Sequence, residues 1–340
     1  MFYFLMMVLV FGVLIFIHEL GHFLSARACG IAVKEFAVGM GPTIFSWKSK
    51  KNETKYGLRL LPIGGFVSME GEDEASEHEN AFCNKSLWKR MLVVCAGPAM
   101  NLILGFLLMT ILVFSQGALA STTVAEFQEG ATSSAQLQVG DTILRVGGTR
   151  VHTGNELVYE VMNKGYEPID LEVRRNGEKL LLEGVTFPTM VDTGVTFGNY
   201  DFVVYAEETN VPNLLKHSFY RSVSTVKMVM DSLISLLSGR FGMEAVSGPV
   251  GVAEVVGDAA KSGYQNLLYI VTVLSINLGV FNLIPFPALD GGRFLFLIIE
   301  GIRRKPMDRN VEGYINFLGL MILLVFMIFV TVKDVFKLFS

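Results

Sequence analysis

The sequence predicts a polytopic α-helical membrane protein with four transmembrane helices, an inserted β-rich domain and a small β-hairpin. Three observations predict it. The chain has 340 residues, 51% of them hydrophobic, and a positive mean hydropathy, which is high for a soluble domain of this length. Four segments reach the ~20 mainly apolar residues that a spanning helix needs. A stretch of globular composition, 116–265, separates the second of them from the third.

The first span, 1–28, could be mistaken for a signal peptide. It has no basic leading region, and its apolar run leads into His18-Glu19-Leu20-Gly21-His22 where a cleavage site would need small residues. It is therefore read as a retained transmembrane helix. A polar loop, 29–90, follows, then spans at 91–115, at 265–302 and at 314–335. The third is too long for one straight crossing, and Pro285 and Pro287 break it. Orientation follows from the basic residues near the helix ends. Arg27, Lys34, Lys85, Lys89 and Arg90 flank the first loop, and Arg303, Arg304, Lys305 and Arg309 flank the link between the last two spans. Both loops are expected in the cytoplasm, with the N-terminus, the C-terminus and the inserted domain outside, although Lys333 and Lys337 argue weakly the other way.

Within the insert, Thr142–Val146 reads as a strand closed by Gly147-Gly148, and 168–187 as a hairpin turned at Asn176-Gly177. The pattern LQVGDTILRVGG resembles a PDZ-like domain, placed at 118–188, a module that adds an extended peptide to a sheet edge. From 189 to 264 come strands and an amphipathic helix. Leu215, Phe219, Val223, Val226, Met230, Leu233 and Leu237 step by three or four along one face. That helix is expected to pack on the β-rich domain or to lie on the membrane, with His217 as a surface residue.

The formal net charge is only −4 and no basic tract is interleaved with aromatics, so nucleic acid is not an expected partner. The spacing of Cys29, Cys83 and Cys95 fits neither a disulfide framework nor a zinc knuckle.

Chemistry is concentrated in the first span. His18 and His22, four apart, project from one helix face and can bind one ion, and Glu19 beside them can take a proton from water. One charged group at the centre of a membrane costs on the order of 2.5–3.5 kcal/mol, so such residues are kept for function. A third ligand does not follow nearby: 23–27 reads FLSAR, which excludes the metzincin continuation, and 39–47 offers no glutamate. A better candidate is Asp290, after the two prolines and before Gly291-Gly292. A helix broken at membrane depth is tolerated only where protein or a water-filled cavity surrounds it. Counted at 1.5 Å per residue, His18 lies ~24 Å into its span, and Asp290 arrives in the same half of the bilayer.

His18-Glu19-Leu20-Gly21-His22, taken with Asn282-x-x-Pro285-x-Pro287-x-x-Asp290-Gly291 on a separate span and the PDZ-like insert between them, resembles the site-2 protease family, in its branch of bacterial sigma-factor regulators. The resemblance implies an intramembrane zinc metalloprotease of the bacterial plasma (inner) membrane. Its ligands to Zn2+ would be His18, His22 and Asp290, its general base Glu19. Asn282, with Pro285 and Pro287, would face the substrate backbone. It also implies that 56–69, read as a hairpin turned at Pro62 and Gly64-Gly65, is a membrane-associated sheet whose edge, Gly64, Gly65, Phe66 and Val67, pairs with an unwound substrate strand. The expected substrates are single-span membrane proteins already cut by another protease, such as anti-sigma factors or remnant signal peptides. Many members of this branch carry two PDZ domains where this chain has room for one. The motifs CAGPAMN (95–101) and SGPVGVAEV (247–255) are read as structural, their small residues permitting close helix approach and Asn101 bonding between helices. The acidic run 70–79 is assigned no role. A proteolytically silent scaffold that holds partners through the PDZ-like domain is the alternative, and the intact Glu19 counts against it.

Overall fold

Among the described residues, four helices are long and apolar enough to cross a membrane: α1 (Phe2–Ala28), α2 (Leu87–Ser115), α6 (Tyr264–Leu283) and α8 (Arg309–Lys337). The computed structural model describes residues 1–50, 53–72, 74–192 and 195–337. Two units can be distinguished, one of Met1–Leu108 with Val246–Ser340 and one of Met109–Ala245.

In the first unit α1 is apolar on nearly every side, the pattern of a helix solvated by lipid and other helices. Its Val10 and Leu14 pack with Val256 of α5 (Pro249–Ser262) and with Leu104, Leu267 and Leu278 of α2 and α6. The SGPVG segment works as a joint. Asp334 of α8 accepts from Gly251 N at 2.9 Å, so a carboxylate from another helix satisfies the first turn of α5. A Cβ on Gly248 would stand 2.9 Å from that carboxylate, which explains the small residue.

The loop after α1 holds β1 (Val33–Lys48) and β2 (Lys55–Met69), paired antiparallel. The turn expected at Pro62 and Gly64-Gly65 is not there: those residues lie inside β2, and its partner is the preceding segment. Gly39, Gly41 and Gly64 have positive φ, which lets both strands bend sharply without a side-chain clash. Phe36 accordingly lies opposite both Val67 and Tyr56, and Trp47 opposite Tyr56. Glycine bends within long strands carry the same local signal as a hairpin turn, hence the misreading. Beyond the break of the third span, α7 (Asp290–Arg303) continues as a separate helix, and its Leu297 joins Phe23, Phe36, Met69 and Val94 in a buried cluster.

The second unit is β-rich. Its sheet has the order β10-β3-β4-β6-β7, formed by Phe202–Glu207, Leu119–Phe127, Thr142–Val146, Ile169–Arg175 and Glu178–Val185, with β5 (Thr149–Arg150) beside β4. Both Asn176 and Gly177 have positive φ, the condition for a tight two-residue hairpin between β6 and β7. A capping box between Thr153 and Glu156 starts α3 (Gly154–Lys164), whose Leu157 and Val161 enter the core with Val124, Ile143, Leu171 and Phe202. Buried Asp141 is satisfied by Arg175, with Nε and Nη2 at 2.8 and 2.7 Å, and by Gln138 N. A second small sheet pairs β8 (Thr189–Asp192) with β9 (Val195–Gly198).

The amphipathic helix is α4 (Val211–Leu237), and one expectation for it, an exposed His217, fails. The face packed against the β-rich unit is Leu214, Ser218, Ser222, Thr225 and Val229, while Leu215, Phe219, Val223, Met230 and Leu237 stand exposed. Serine and threonine suit the buried face because their hydroxyls bond back to carbonyls four residues earlier, as Ser218 and Ser222 do at 2.7 Å. His217 is not a surface residue but 2% exposed, with Nε2 3.2 Å from Glu207 of β10. Burial pushes its imidazole below its ordinary pKa against the pull of Glu207.

Candidate metal centre

One face of α1 presents His18 and His22 to Asp290, the first residue of α7. His18 Nε2 lies 3.0 Å from Asp290 Oδ2, His22 Nε2 lies 3.3 Å from the same oxygen, and the two ring nitrogens are 3.3 Å apart. Three ligand atoms on a tetrahedron around zinc, at bond lengths of about 2.0–2.1 Å, stand about 3.3–3.4 Å from one another. The triangle therefore has the size that zinc requires, with a fourth corner left over.

The surroundings favour a metal over a plain polar contact. His22 Nδ1 sits 2.8 Å from the carbonyl of Val93, which can only accept, so Nδ1 carries a proton, and in the neutral ring Nε2 turns a lone pair toward Asp290. Asp290 Oδ2 is buried and, among the described residues, receives no hydrogen bond of good geometry. Acceptors facing one another in a buried site are costly, and a cation among them removes the cost.

The break in the third span aims the carboxylate. Ala288 has φ 72°, an uncommon conformation for a residue with a side chain, and Asn316 of α8 accepts from its N–H at 3.1 Å. A Cβ on Gly291 would stand 2.2 Å from the carbonyl of Ile284, and one on Gly292 2.3 Å from that of Phe286. Only glycine lets α7 start so close to the broken segment.

Glu19, beside His18, accepts from Val67 N at 3.1 Å. Val67 lies on β2 in the part that pairs with β1, so this N–H belongs to the strand edge turned toward α1. Two residues on, Met69 N donates to Glu72 at 3.2 Å, and Glu72 is paired with Arg293 of α7. Two outward N–H groups of the edge are thus taken by carboxylates. A cavity of about 180 Å³ collects these groups, lined by His18, Glu19, His22, Phe66, Val67 and Asp290 among others.

The structure thus brings together His18, Glu19, His22, Asp290, Phe66 and Val67. Gly65 lies just behind, where a Cβ would stand 3.4 Å from Glu19 Cγ. Gly64 bends β2 against Met40. Asn282, Pro285 and Pro287 are not among the lining residues: the Asn282 amide donates to Leu278 O at 3.0 Å, and Pro287 packs on Gly319 of α8.

Several contributors escaped the sequence reading. Glu72 sits in the acidic run, of which Asp73 lies outside the described residues, and composition singles out none of its members. Arg293 follows Asp290 by one helical turn, a spacing that could have marked it. Gly97 and Asn101, read as structural, stand against the two histidines themselves. A Cβ on Gly97 would stand 2.2 Å from His22 Nε2, and Asn101 approaches His18 Nδ1 at 3.2 Å. We expect Gly97→Ala to push the His22 ring off its line and lower zinc affinity by about 10-fold or more, read by competition with a chromogenic chelator; unchanged affinity would count against the tight fit.

A membrane-embedded zinc metalloprotease is the class that this fold and site define. The family model described as Peptidase family M50 matches residues 6–326, and the chain belongs to that family, in keeping with its resemblance to the site-2 proteases. It is 37% identical, over 96% of both chains, to a Clostridium acetobutylicum protein whose name assigns it provisionally as a zinc metalloprotease. It is 32% identical to the zinc metalloprotease RasP of Geobacillus kaustophilus, over 98% of this chain and 97% of that one. The regulator of sigma-W protease RasP of Bacillus subtilis is 30% identical over 98% of each.

Proposed function

We propose that this zinc metalloprotease cuts peptide bonds in or near the transmembrane helix of single-span membrane proteins that another protease has already shortened. The observation that carries the reading is the pairing of a metal-sized triangle with a strand edge, both on elements of a membrane-spanning unit. A substrate helix has its N–H groups and carbonyls bonded internally, so it must be unwound before a peptide bond is accessible. An edge strand offers the extended chain new partners. Gly64, Gly65, Phe66 and Val67 are the proposed edge, and Asn282, Pro285 and Pro287 the proposed opposite wall.

His18, His22 and Asp290 would hold Zn2+, which polarises water and lowers its pKa toward ~7. Glu19 then acts as general base, taking the water proton on a carboxylate oxygen and passing it to the leaving amine. Its bond to Val67 N gives the edge a second use. A substrate carbonyl that pairs with Val67 N–H displaces the Glu19 carboxylate and leaves it free for the proton.

The exposed Ile44, Phe45, Trp47, Leu58 and Leu60 support a membrane-associated β1–β2 pair, and the basic loops support extracytoplasmic termini in a bacterial plasma membrane. The β-rich unit is read as a single PDZ-like domain on the outer side. Anti-sigma factors, by analogy with the sigma-W regulator, and remnant signal peptides are the proposed substrates. The test is cleavage of a single-span model substrate by the full chain in detergent, with and without a zinc chelator and zinc re-addition. Cleavage that stops with chelation and returns with zinc is the expected result. Stoichiometric zinc with no cleavage of several helix-destabilised substrates would sink the reading and favour the scaffold.

A further inference from the structure

We propose that Asn101 is a positioning residue for the metal: its amide oxygen holds the proton of His18 on Nδ1 and so keeps Nε2 free to bind zinc. The inference rests on the zinc reading of His18, His22 and Asp290.

Asn101 lies on α2, within the apolar run of that span, and is fully buried. An uncompensated amide there costs on the order of 2 kcal/mol or more, so something must offset it. Its Nδ2 lies 3.2 Å from His18 Nδ1, and its Oδ1 has no hydrogen-bond partner among the described residues. Among the described residues its amide reaches the polar cluster through His18 alone. His18 is what it serves. The backbone does the helix-joining at this point, since Asn101 O accepts from Ser275 of α6 at 2.8 Å. The packing role therefore leaves the amide unexplained.

Asparagine suits a ligand that must exist in two tautomers. With Nδ2 toward His18, the amide donates to a bare Nδ1, and Nε2 carries the proton and can donate to Asp290 Oδ2. A half-turn of the amide puts Oδ1 there instead, accepting from Nδ1–H, and Nε2 then offers a lone pair. Zinc can bind only in the second arrangement, because a metal ligand must be deprotonated at the binding nitrogen. His22 has no such choice, since Val93 O can only accept. α2 thus supports both histidines, one through a fixed carbonyl and the other through an amide that can turn.

Two substitutions separate this role from packing. Asn101→Leu keeps the volume and removes the acceptor; Asn101→Asp keeps the acceptor and removes the donor. The full chain in detergent is loaded with zinc and titrated against a chelator of known affinity. The Co2+-loaded forms are compared by visible absorption, which reports ligand geometry. We expect the Leu variant to lose about 10–100-fold in zinc affinity and to shift the cobalt spectrum, and the Asp variant to bind at least as tightly as wild type. Thermal unfolding in chelator checks that each variant folds; if one does not, Asn101→Ser, which keeps a smaller acceptor, replaces it and is expected between Leu and wild type. Wild-type affinity in the Leu variant overturns the proposal. Equal losses in a folded Leu and a folded Asp variant overturn it too, because the acceptor would then not be what matters. A wild-type protein that binds no zinc overturns the metal centre as a whole, which is a distinct result.

Discussion

Replacing Glu19 with glutamine should abolish most of the cleavage while leaving zinc and fold in place. The amide keeps one carbonyl oxygen, so it can still accept from Val67 N, now at 3.1 Å from the carboxylate, and the β2 edge keeps its anchor on α1. What it loses is the capacity to take a proton. General-base catalysis contributes about 10²–10⁴-fold, and the loss should fall in that range and in kcat, since glutamine and glutamate fill the same space in the cavity. Zinc content should be unchanged, because Glu19 is not one of the three atoms of the triangle. The measurement is cleavage at saturating substrate, with metal content determined on the same preparation. A Glu19→Gln protein that cleaves within a few-fold of wild type would remove Glu19 from the chemistry and send the search for a base to the other carboxylate at the edge, Glu72.

How much of this centre could be read in the sequence depends on whether the signal was local. His18 and His22 are four apart on a helix, and polar groups in an apolar run stand out. Asp290 was legible for a related reason: two prolines and two glycines around a lone carboxylate mark a break in a span. The spans themselves follow from length and hydropathy. Pairings between distant segments were not legible. The partner of β2 is β1, joined through bends at Gly39, Gly41 and Gly64, and nothing within 56–69 says so. Asn101 was seen as a polar group that should bond across helices, but its target, 83 residues earlier, lies in no periodicity. On α4 the period was legible, but not which face is buried. Serine and threonine, whose hydroxyls bond within the helix, allowed the polar side to be buried while Leu215, Phe219 and Val223 stayed exposed.

Asp290→Asn should make the stability of the protein indifferent to zinc. If His18, His22 and Asp290 form a metal site, the folded chain binds zinc and the unfolded chain does not bind it as a unit. Zinc at a thousandfold excess over Kd then stabilises the fold by about 4 kcal/mol. A chelator should lower the unfolding temperature of the wild type accordingly. Asparagine is isosteric, and its amide can donate to the His18 nitrogen that stands 3.0 Å from Asp290 Oδ2, so the metal-free variant should lose little. Its unfolding should come at the same temperature with zinc or with chelator. A plain ion pair between α1 and α7 predicts the reverse. Wild type would then ignore the chelator, and Asp290→Asn would unfold earlier in both conditions, because removing one partner of a buried pair costs about 3–5 kcal/mol. Thermal unfolding of the two proteins, each with and without chelator, separates a metal centre from an ion pair without depending on any substrate.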